Sequence, residues 1–373
     1  MKKILFIANI DGHILAFHLP YLKWFKEQGW ETFVASNPGD DKIPIPNCDH
    51  KYDVSIMRNI FNMKNLSAFK GLKKIIAENN FDIIHCHTAM GGSIGRLAAK
   101  RAGKKGAKIL YTAHGFYFYE GGPLKRWLLH YFTEKYLSHY TDAIITINSY
   151  DYELAKTKFK AGKVFLCRGM GYDNNKFFTS SSADKRKYRE EYGYEKNQIL
   201  LFYAAELNEN KNQKLLIEAT AKLAEKYKNI KLLLAGEGPM EYAYKKFAGD
   251  KGIADNVDFL GSRNDVNKLC TISDIYTASS INDGQGINIL EAMASGLPVI
   301  ATKNKGHSDL IEDGKNGFLV SIKDSDDITK KISELIENHE LKNALSISGI
   351  KTAEKYHRDD TCKDIIGIYK KFI

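Results

Sequence analysis

The residues with the clearest chemical pattern lie in the segment 279–296, which reads SSINDGQGINILEAMASG. Asp283 stands before a glycine-rich turn at 284–286, and a helix is predicted to follow over 287–295. Glycines ahead of a helix let main-chain N–H groups face an anion, which the positive end of the helix dipole also attracts. The carboxylates of Asp283 and Glu291 accept hydrogen bonds from hydroxyls. The segment favours a sugar or ribose joined to phosphate, although an ordinary strand–turn–helix would show the same glycines.

Histidines lie at the ends of several predicted strands. His114 follows one strand, His85 and His87 end another, and Gly12 and His13 follow the first strand of the chain. Doubly wound sheets bind ligands beyond the carboxyl ends of their strands, so we interpret His114 as a site residue. A His-x-His pattern can bind zinc, but the sequence shows no third ligand, and we expect strand-end or ligand contacts instead.

One Asp-x-Asp pattern, a type that can hold a metal ion, occurs at Asp324 and Asp326. It follows the last predicted strand and precedes a predicted helix, so capping of the helix N-terminus explains it better. We therefore expect no metal ion and no other cofactor.

The elements that position these residues alternate between short apolar runs and amphipathic stretches. The runs are β-branched and nearly continuous, as in strands buried on both faces of a parallel sheet. Predicted strands and helices follow one another over 4–8, 17–28, 32–35, 82–85, 95–102, 109–111, 143–147 and 150–159. A polar, Ser-rich stretch at 173–183 interrupts the alternation, which then restarts over 199–205, 213–227 and 230–235. The pattern predicts an α/β chain of two doubly wound, Rossmann-like lobes that face a cleft.

Composition narrows the class of protein. With 373 residues, 43% hydrophobic and 27% charged, the chain is neither disordered nor fibrous and is long enough for two domains. No apolar run reaches the length of a membrane-spanning helix. The five cysteines are far apart, which favours free thiols in a reducing compartment. The apolar start at 4–8 predicts a first strand rather than a signal peptide, so we expect a cytoplasmic protein.

The net charge of +10 is unevenly distributed, because residues 1–170 carry +11 and residues 171–373 carry −1. Lysines and arginines cluster in the first half beside aromatic residues such as Phe116, Tyr117 and Trp127. This combination suits an anionic membrane surface, although a solvated basic face would look the same. No nucleic-acid-binding motif is present, so we do not expect a nucleic-acid partner.

The helix of the first segment runs into EAMASGLPVIA at 291–301, which resembles the signature of the family 4 retaining glycosyltransferases with the GT-B fold. The stretch LLLAGEGP at 232–239 is similar to the family's Gly-x-Gly-Pro loop, and the resemblance covers essentially the whole chain. HILAFHLPY at 13–21 and TAHGFYFYEGGP at 112–123 look like the capsule and exopolysaccharide branch of bacterial enzymes.

The resemblance implies an N-terminal acceptor lobe over 1–172, a donor lobe over 173–355, and a C-terminal helix over 356–373 that packs back on the first lobe. It implies catalytic roles for His114, Lys211 and Asp283. The implied donor-binding residues are Glu291, Gly284, Gln285, Gly286, Ile287, Glu206, Gly236, Gly261 and Arg263, and the implied acceptor-side residues are Gly12, His13 and His87.

Two residues depart from the family pattern. Asp283 stands where the family has a glutamate, and Glu206 stands where it usually has an arginine ahead of Lys211. The first departure leaves the preferred sugar open. The second removes one cation from the diphosphate site, and we expect Glu206 to point elsewhere or to bind a sugar hydroxyl.

The resulting expectation is a metal-independent, retaining glycosyltransferase. It would move a sugar, with an N-acetylhexosamine as one candidate, from a nucleotide-diphosphate donor, and the branch resemblance implies a UDP-linked one. The acceptor would be a lipid-linked saccharide of capsule or exopolysaccharide synthesis, and the enzyme would lie on the inner face of the cell membrane. Two alternatives stay open: a UDP-sugar epimerase or hydrolase of the same fold, and an inactive sugar-nucleotide-binding subunit.

Overall fold

The computed structural model describes residues 1–39 and 43–373, and the chain divides into two compact units. Unit 1 comprises Met1–Met170 and Thr361–Ile373, and unit 2 comprises Gly171–Asp360. The chain passes from unit 1 to unit 2 between Met170 and Gly171, two residues before the boundary predicted between residues 172 and 173. The chain re-enters unit 1 at Thr361, five residues later than the predicted start of the returning segment at 356.

Unit 1 is a parallel sheet flanked by helices. Its strands are β1 (Lys3–Ile10), β2 (Glu31–Asn37), β3 (His50–Asp53), β4 (Ile83–His87), β5 (Lys108–Ala113), β6 (Ala143–Thr146) and β7 (Lys163–Leu166). Its helices are α1 (Asp11–Phe17), α2 (Leu19–Glu27), α3 (Lys64–Asn79), α4 (Ala89–Lys104), α5 (Leu124–Arg126), α6 (Phe132–Ser138) and α7 (Ser149–Lys158), with a π-helical turn at Trp127–Tyr131. The strand order is β3-β2-β1-β4-β5-β6-β7, and adjacent strands run parallel.

Burial explains why the central strands could be predicted. Residues 4–8 of β1 are fully buried because β2 and β4 lie on either side and helices cover both faces, so every position is apolar. Glycine brings α4 close to this sheet, since a Cβ at Gly92 would lie 2.3 Å from the Tyr111 ring.

Two parts of unit 1 differ from the sequence predictions. The helix predicted over 17–28 is α2, which is shorter by two residues at its start and one at its end, and the unpredicted helix α1 precedes it. Helix α1 begins directly after β1, so Gly12 and His13 are helical. Strand β3 was not predicted, because this edge strand is polar and only partly buried and therefore lacks an apolar run.

Unit 2 repeats the architecture. Its strands are β8 (Ile199–Ala204), β9 (Ile230–Ala235), β10 (Val257–Phe259), β11 (Ile275–Ala278), β12 (Val299–Thr302) and β13 (Phe318–Val320). Its helices are α8 (Ser182–Glu191), α9 (Gln213–Lys226), α10 (Glu241–Asp250), α11 (Val266–Ile272), α12 (Ile287–Ala294), α13 (Lys305–Leu310), α14 (Ser325–Glu337) and α15 (His339–Ala353), with 3₁₀ turns at Ala254–Asn256 and Glu354–Tyr356. The order β10-β9-β8-β11-β12-β13 is again parallel, which confirms two doubly wound, Rossmann-like units.

The helix predicted after the Asp-x-Asp pattern is present as α14. Asp324 caps α14 by accepting a hydrogen bond from the Asp326 N–H at 2.9 Å, so the Asp-x-Asp pattern serves a helix end. The last helix, α16 (Arg358–Tyr369), begins in unit 2 and ends in unit 1. Among the described residues, no helix is both long enough and apolar enough to cross a bilayer.

Candidate functional site

The site in unit 2 lies where the chain order of its sheet reverses. Strands β8 and β11 are neighbours, but the chain leaves β8 toward β9 and leaves β11 toward β12. In doubly wound sheets the loops diverge at such a point, which makes the carboxyl ends of these strands the usual ligand position. Lys211 follows β8 and Asp283 follows β11, so this topology brings together two residues 72 positions apart.

Lys211 and Asp283 form an ion pair, with Nζ 2.6 Å from Oδ2 and about a fifth of each side chain exposed. Burial opposes the charge on Lys211, but Tyr203 and Asp283 outweigh it and raise the pKa of the ammonium above its usual range. Burial likewise opposes the charge on Asp283, but Lys211 and His307 outweigh it and lower the pKa of the carboxyl. The predicted catalytic pair is thus in contact and fully charged at neutral pH.

His307 also faces this pair. Its Nδ1 lies 2.7 Å from the Thr302 carbonyl oxygen, to which it can donate, which leaves a lone pair on Nε2. That Nε2 is buried, has no hydrogen-bond partner among the described residues, and lies 4.0 Å from Asp283 Oδ2. Burial lowers the pKa of His307. A neutral acceptor nitrogen beside a carboxylate is suited to a ligand that brings hydrogen-bond donors, such as sugar hydroxyls.

The glycine-rich turn has a more specific role than the sequence indicated. The Gly284 N–H donates to Asp283 Oδ1 at 2.9 Å, so this amide orients the carboxylate in addition to any contact with an anion. Gly286 adopts φ +82° as it caps the N-terminus of α12, with Gln285 buried before it and Ile287 half-buried after it. Gly306 lets α13 pack on this turn, since a Cβ there would lie 2.7 Å from the Asp283 carbonyl oxygen.

Glu291 is on α12, which starts one residue after Gly286 and ends one residue earlier than predicted. Burial raises the pKa of its carboxyl to about 7, although Lys176 and Arg358 act in the opposite direction. The described residues offer Glu291 no ion pair within 4 Å. A carboxyl in such surroundings is available to a ligand hydroxyl.

The other predicted donor residues lie on neighbouring strand ends. The Gly236 N–H donates to the Gly261 carbonyl at 2.7 Å, and a Cβ at Gly236 would lie only 2.1 Å from the Ala205 carbonyl oxygen, so these loops need glycine. Glu206 is exposed and adds to the field that raises the pKa of Lys211. Arg263 is paired with Asp265 at 2.6 Å, so its guanidinium is engaged within the unit and its donor contact stays a prediction.

A second set of residues meets at the reversal point of the unit 1 sheet, between β1 and β4. His13 comes from α1, His18 from the junction of α1 and α2, His87 from the end of β4, and His114 from the residue after β5. We call these four side chains the histidine cluster. One nitrogen of each lies within 4.8 Å of one nitrogen of every other, and His13 Nε2 is 3.2 Å from His114 Nε2.

Two rings of the histidine cluster are buried without any hydrogen-bond partner among the described residues. Both nitrogens of His18 and both nitrogens of His87 are unpaired, and the two ring centroids are 3.8 Å apart. Burial lowers the pKa of both rings well below the usual range, so both are neutral. Each unsatisfied buried polar group costs about 1–3 kcal/mol. The neighbouring His85 differs, because its nitrogens bond Tyr369 at 2.6 Å and Thr112 at 2.8 Å.

Beside the histidine cluster is a cavity of about 960 Å³, which we call the unit 1 cavity. Its lining includes the predicted acceptor-side residues Gly12 and His13, and residues 56–60 and 129–130. The predicted acceptor residue His87 is fully buried and is not part of the lining.

Comparisons with known proteins agree with these two units. The family model described as Glycosyl transferase 4-like matches residues 3–148, and the one described as Glycosyl transferases group 1 matches residues 184–352. EpsD of Bacillus subtilis (strain 168), which carries the name of a glycosyltransferase, is 44% identical over 373 residues, covering 100% of this chain and 97% of EpsD. The chain belongs to the family 4 glycosyltransferases. Its fold is GT-B.

Other relatives of this glycosyltransferase are more distant. An Escherichia coli protein is 26% identical over 277 residues, covering 73% of this chain and 70% of that protein. It is named as a UDP-Gal:α-D-GlcNAc-diphosphoundecaprenol α-1,3-galactosyltransferase. The crystal structure of HepE from Anabaena in complex with UDP-glucose has a TM-score of 0.82 at 19% identity, with complete coverage of both chains, and shares the fold.

Two residues of the candidate sites were not assigned to a site from the sequence. His18 is the second residue of the helix predicted over 17–28, and in the structure it lies at the junction of α1 and α2. From the sequence, His307 fits a donor contact and an ordinary loop residue equally well. Its place after β12, beside the reversal point of the sheet, was the available signal.

Proposed function

We propose that this glycosyltransferase moves a sugar from a UDP-linked donor, with retention of configuration, to a lipid-linked saccharide. The observation that carries the proposal is the Lys211–Asp283 ion pair at the reversal point of the unit 2 sheet, with His307 Nε2 4.0 Å from Asp283 Oδ2. The site combines one buried cation with two groups that accept hydrogen bonds, and Glu291 lies on the helix that follows the Gly286 turn. That is the set required by a diphosphate joined to a polyhydroxylated ring.

Donor binding would rearrange the ion pair. Without a ligand, Asp283 neutralises Lys211; a diphosphate would compete for the same ammonium, helped by the N-terminus of α12. Asp283 would then turn to sugar hydroxyls. A carboxylate with one methylene less than glutamate reaches less far, so the sugar at this position is held closer to the β11 loop.

Transfer would require no metal ion on the diphosphate. The bond between the anomeric carbon and the diphosphate oxygen breaks, and the departing oxygen keeps the electron pair and takes the proton of the acceptor hydroxyl. The acceptor oxygen bonds the anomeric carbon on the same face. Lys211 and the helix dipole stabilise the charge of the leaving diphosphate. The catalytic role that the family resemblance implies for His114 stays a prediction.

A lipid-linked acceptor fits unit 1. The unit 1 cavity opens beside exposed apolar side chains that a protein surface in water rarely groups together. Leu124, Leu128, Phe132 and Tyr136 are 72%, 55%, 57% and 51% exposed, and we call this set the α5–α6 face. Their spacing of four residues forms one stripe, with the exposed Lys125 and Arg126 beside it.

We infer that the α5–α6 face and the basic charge of unit 1 hold the enzyme at an anionic membrane. Residues 1–170 carry +11, and the returning segment adds Lys363, Lys370 and Lys371 against Asp364. An enzyme at the cytoplasmic surface would meet an undecaprenol-type acceptor there. The name of the Escherichia coli relative, which acts on a diphosphoundecaprenol-linked sugar, supports a lipid-linked acceptor. The proposed role in capsule or exopolysaccharide synthesis rests on the resemblance of residues 13–21 and 112–123 to that branch of the family.

The test supplies UDP-sugars and a diphospholipid-linked saccharide and analyses products by mass spectrometry. A glycosylated lipid with release of UDP is expected, and Lys211→Ala should reduce its formation by about 100-fold or more. A changed free UDP-sugar would instead identify an epimerase, and UDP binding without turnover an inactive subunit. Loss of turnover in EDTA that magnesium restores would contradict metal-independent handling of the diphosphate.

A further inference from the structure

We propose that the histidine cluster is a binding site for one transition-metal ion, with Zn²⁺ as the expected occupant. Its ligands would be His13, His18, His87 and His114. The site lies in unit 1 and shares no residue with the proposed diphosphate site of Lys211 and Asp283 in unit 2, but His114, a predicted catalytic residue, would be one of its ligands.

The ligand set and its dimensions fit zinc. Imidazole nitrogen is a preferred ligand of Zn²⁺, and structural sites are tetrahedral with Zn–N distances of about 2.0–2.1 Å. Such a tetrahedron separates its nitrogens by about 3.3 Å. His13 Nε2 and His114 Nε2 are already 3.2 Å apart, and all four ligand atoms lie within 4.8 Å of one another. The widest pair would therefore need to approach by at most about 1.5 Å to reach the tetrahedral spacing.

The second observation is the unpaired state of the two deepest rings. His18 and His87 are fully buried, and none of their four ring nitrogens has a hydrogen-bond partner among the described residues. A metal ion would satisfy one nitrogen of each ring. His85, two residues before His87 on β4, is equally buried but has both nitrogens bonded, so burial on this strand does not by itself leave histidines unpaired.

The position of the site gives it a route to solvent. His13 is half-buried and lines the unit 1 cavity, whereas His18 and His87 lie beneath it. An ion would enter from the cavity, and His13 would be the last ligand to close. Bound metal would also take His114 Nε2, the atom that otherwise lies against His13, so metal-free and metal-bound chains differ at a predicted catalytic residue.

The experiment uses the full chain purified without a polyhistidine tag. Metal content is measured by inductively coupled plasma mass spectrometry, and zinc affinity by titration against a competing chelator with melting temperature as a second readout. One Zn²⁺ per chain and a higher melting temperature are expected. His87→Gln and His13→Gln should each weaken zinc binding by at least about tenfold, whereas His130→Gln, which lines the same cavity outside the cluster, should bind as the wild type.

The outcomes separate cleanly. A wild-type chain that neither retains zinc nor changes its melting temperature with added Zn²⁺ overturns the proposal, as do variants that bind like the wild type. If His87→Gln does not fold, His13→Gln decides, because its side chain lies at the cavity surface. Metal content is measured without donor or acceptor, so it is independent of the proposed transfer. Turnover that EDTA removes and Zn²⁺ but not Mg²⁺ restores would support the histidine site.

Discussion

Glu291→Gln should make the enzyme more stable at alkaline pH while weakening donor binding. Burial raises the pKa of the Glu291 carboxyl from 4.5 to about 7 in the folded chain. Below pH 4.5 the carboxyl is protonated in both states and its burial has no ionisation cost. Between pH 4.5 and 7 the carboxyl ionises in the unfolded chain while the buried one keeps its proton, so stability falls across that window and the loss is complete once the pH has passed 7. The full shift corresponds to at most about 3 kcal/mol.

Calorimetric unfolding at pH 5 and pH 8 measures this difference. The gain of Glu291→Gln over the wild type should be larger at pH 8 by about 2.5 kcal/mol, or roughly 5–10 °C in melting temperature for a domain of this size. Glu225→Gln makes the same chemical change at an exposed position of α9 and should show no such gain. Equal gains at both pH values would refute the assignment of Glu291 as a carboxylate held for function at a cost in stability.

Three further predictions concern the donor site, the backbone of unit 2 and the membrane. Lys211→Met should lower kcat/KM for the UDP-sugar by about 100-fold, since a buried charge-assisted contact contributes up to about 3 kcal/mol; unchanged kinetics would remove Lys211 from the site. Gly236→Ala should destabilise the chain by about 3 kcal/mol, because its Cβ would lie 2.1 Å from a backbone oxygen; an unchanged melting temperature would contradict that contact. Leu124→Ser combined with Phe132→Ser should reduce sedimentation with anionic vesicles, whereas Ile347→Ser, an equally exposed change in unit 2, should not; equal binding by all would exclude the α5–α6 face.

The sequence predicted the sheets well and the contacts within the sites less well. Strands such as β1 and β8 are buried on both faces, so their apolar runs were visible without any tertiary information. Strand β3 is polar and lies at an edge, so no local pattern marked it. Asp283 and Lys211 could be assigned to one site only through the family resemblance, because their 2.6 Å contact depends on β8 and β11 being neighbours.

The histidines show the same limit more clearly. The His-x-His spacing drew attention to His85 and His87, but their hydrogen bonding differs in the structure. Both nitrogens of His85 are hydrogen-bonded, whereas neither nitrogen of His87 has a partner among the described residues. The ligands that could join His87 come from α1, from the α1–α2 junction and from the end of β5. A metal-ligand set drawn from four elements has no local spacing rule, so a search for sequence motifs could not have found it.

Three histidines with unpaired buried nitrogens lie at corresponding places in the sheets of the two units. Folded chains leave few buried polar groups unsatisfied, yet His18 and His87 in unit 1 and His307 in unit 2 all do so near the point where the sheet order reverses. At that point two loops diverge, and the backbone cannot supply the partners that a continuous sheet would offer. The same geometry that opens a crevice for ligands therefore leaves side chains unsatisfied until a ligand binds. Replacing His18 or His87 by an apolar residue of similar size should raise the free energy of unfolding and abolish zinc binding. Replacing His307 in the same way should raise the free energy of unfolding and weaken donor binding. In each case the unpaired nitrogens account for both the cost in stability and the binding.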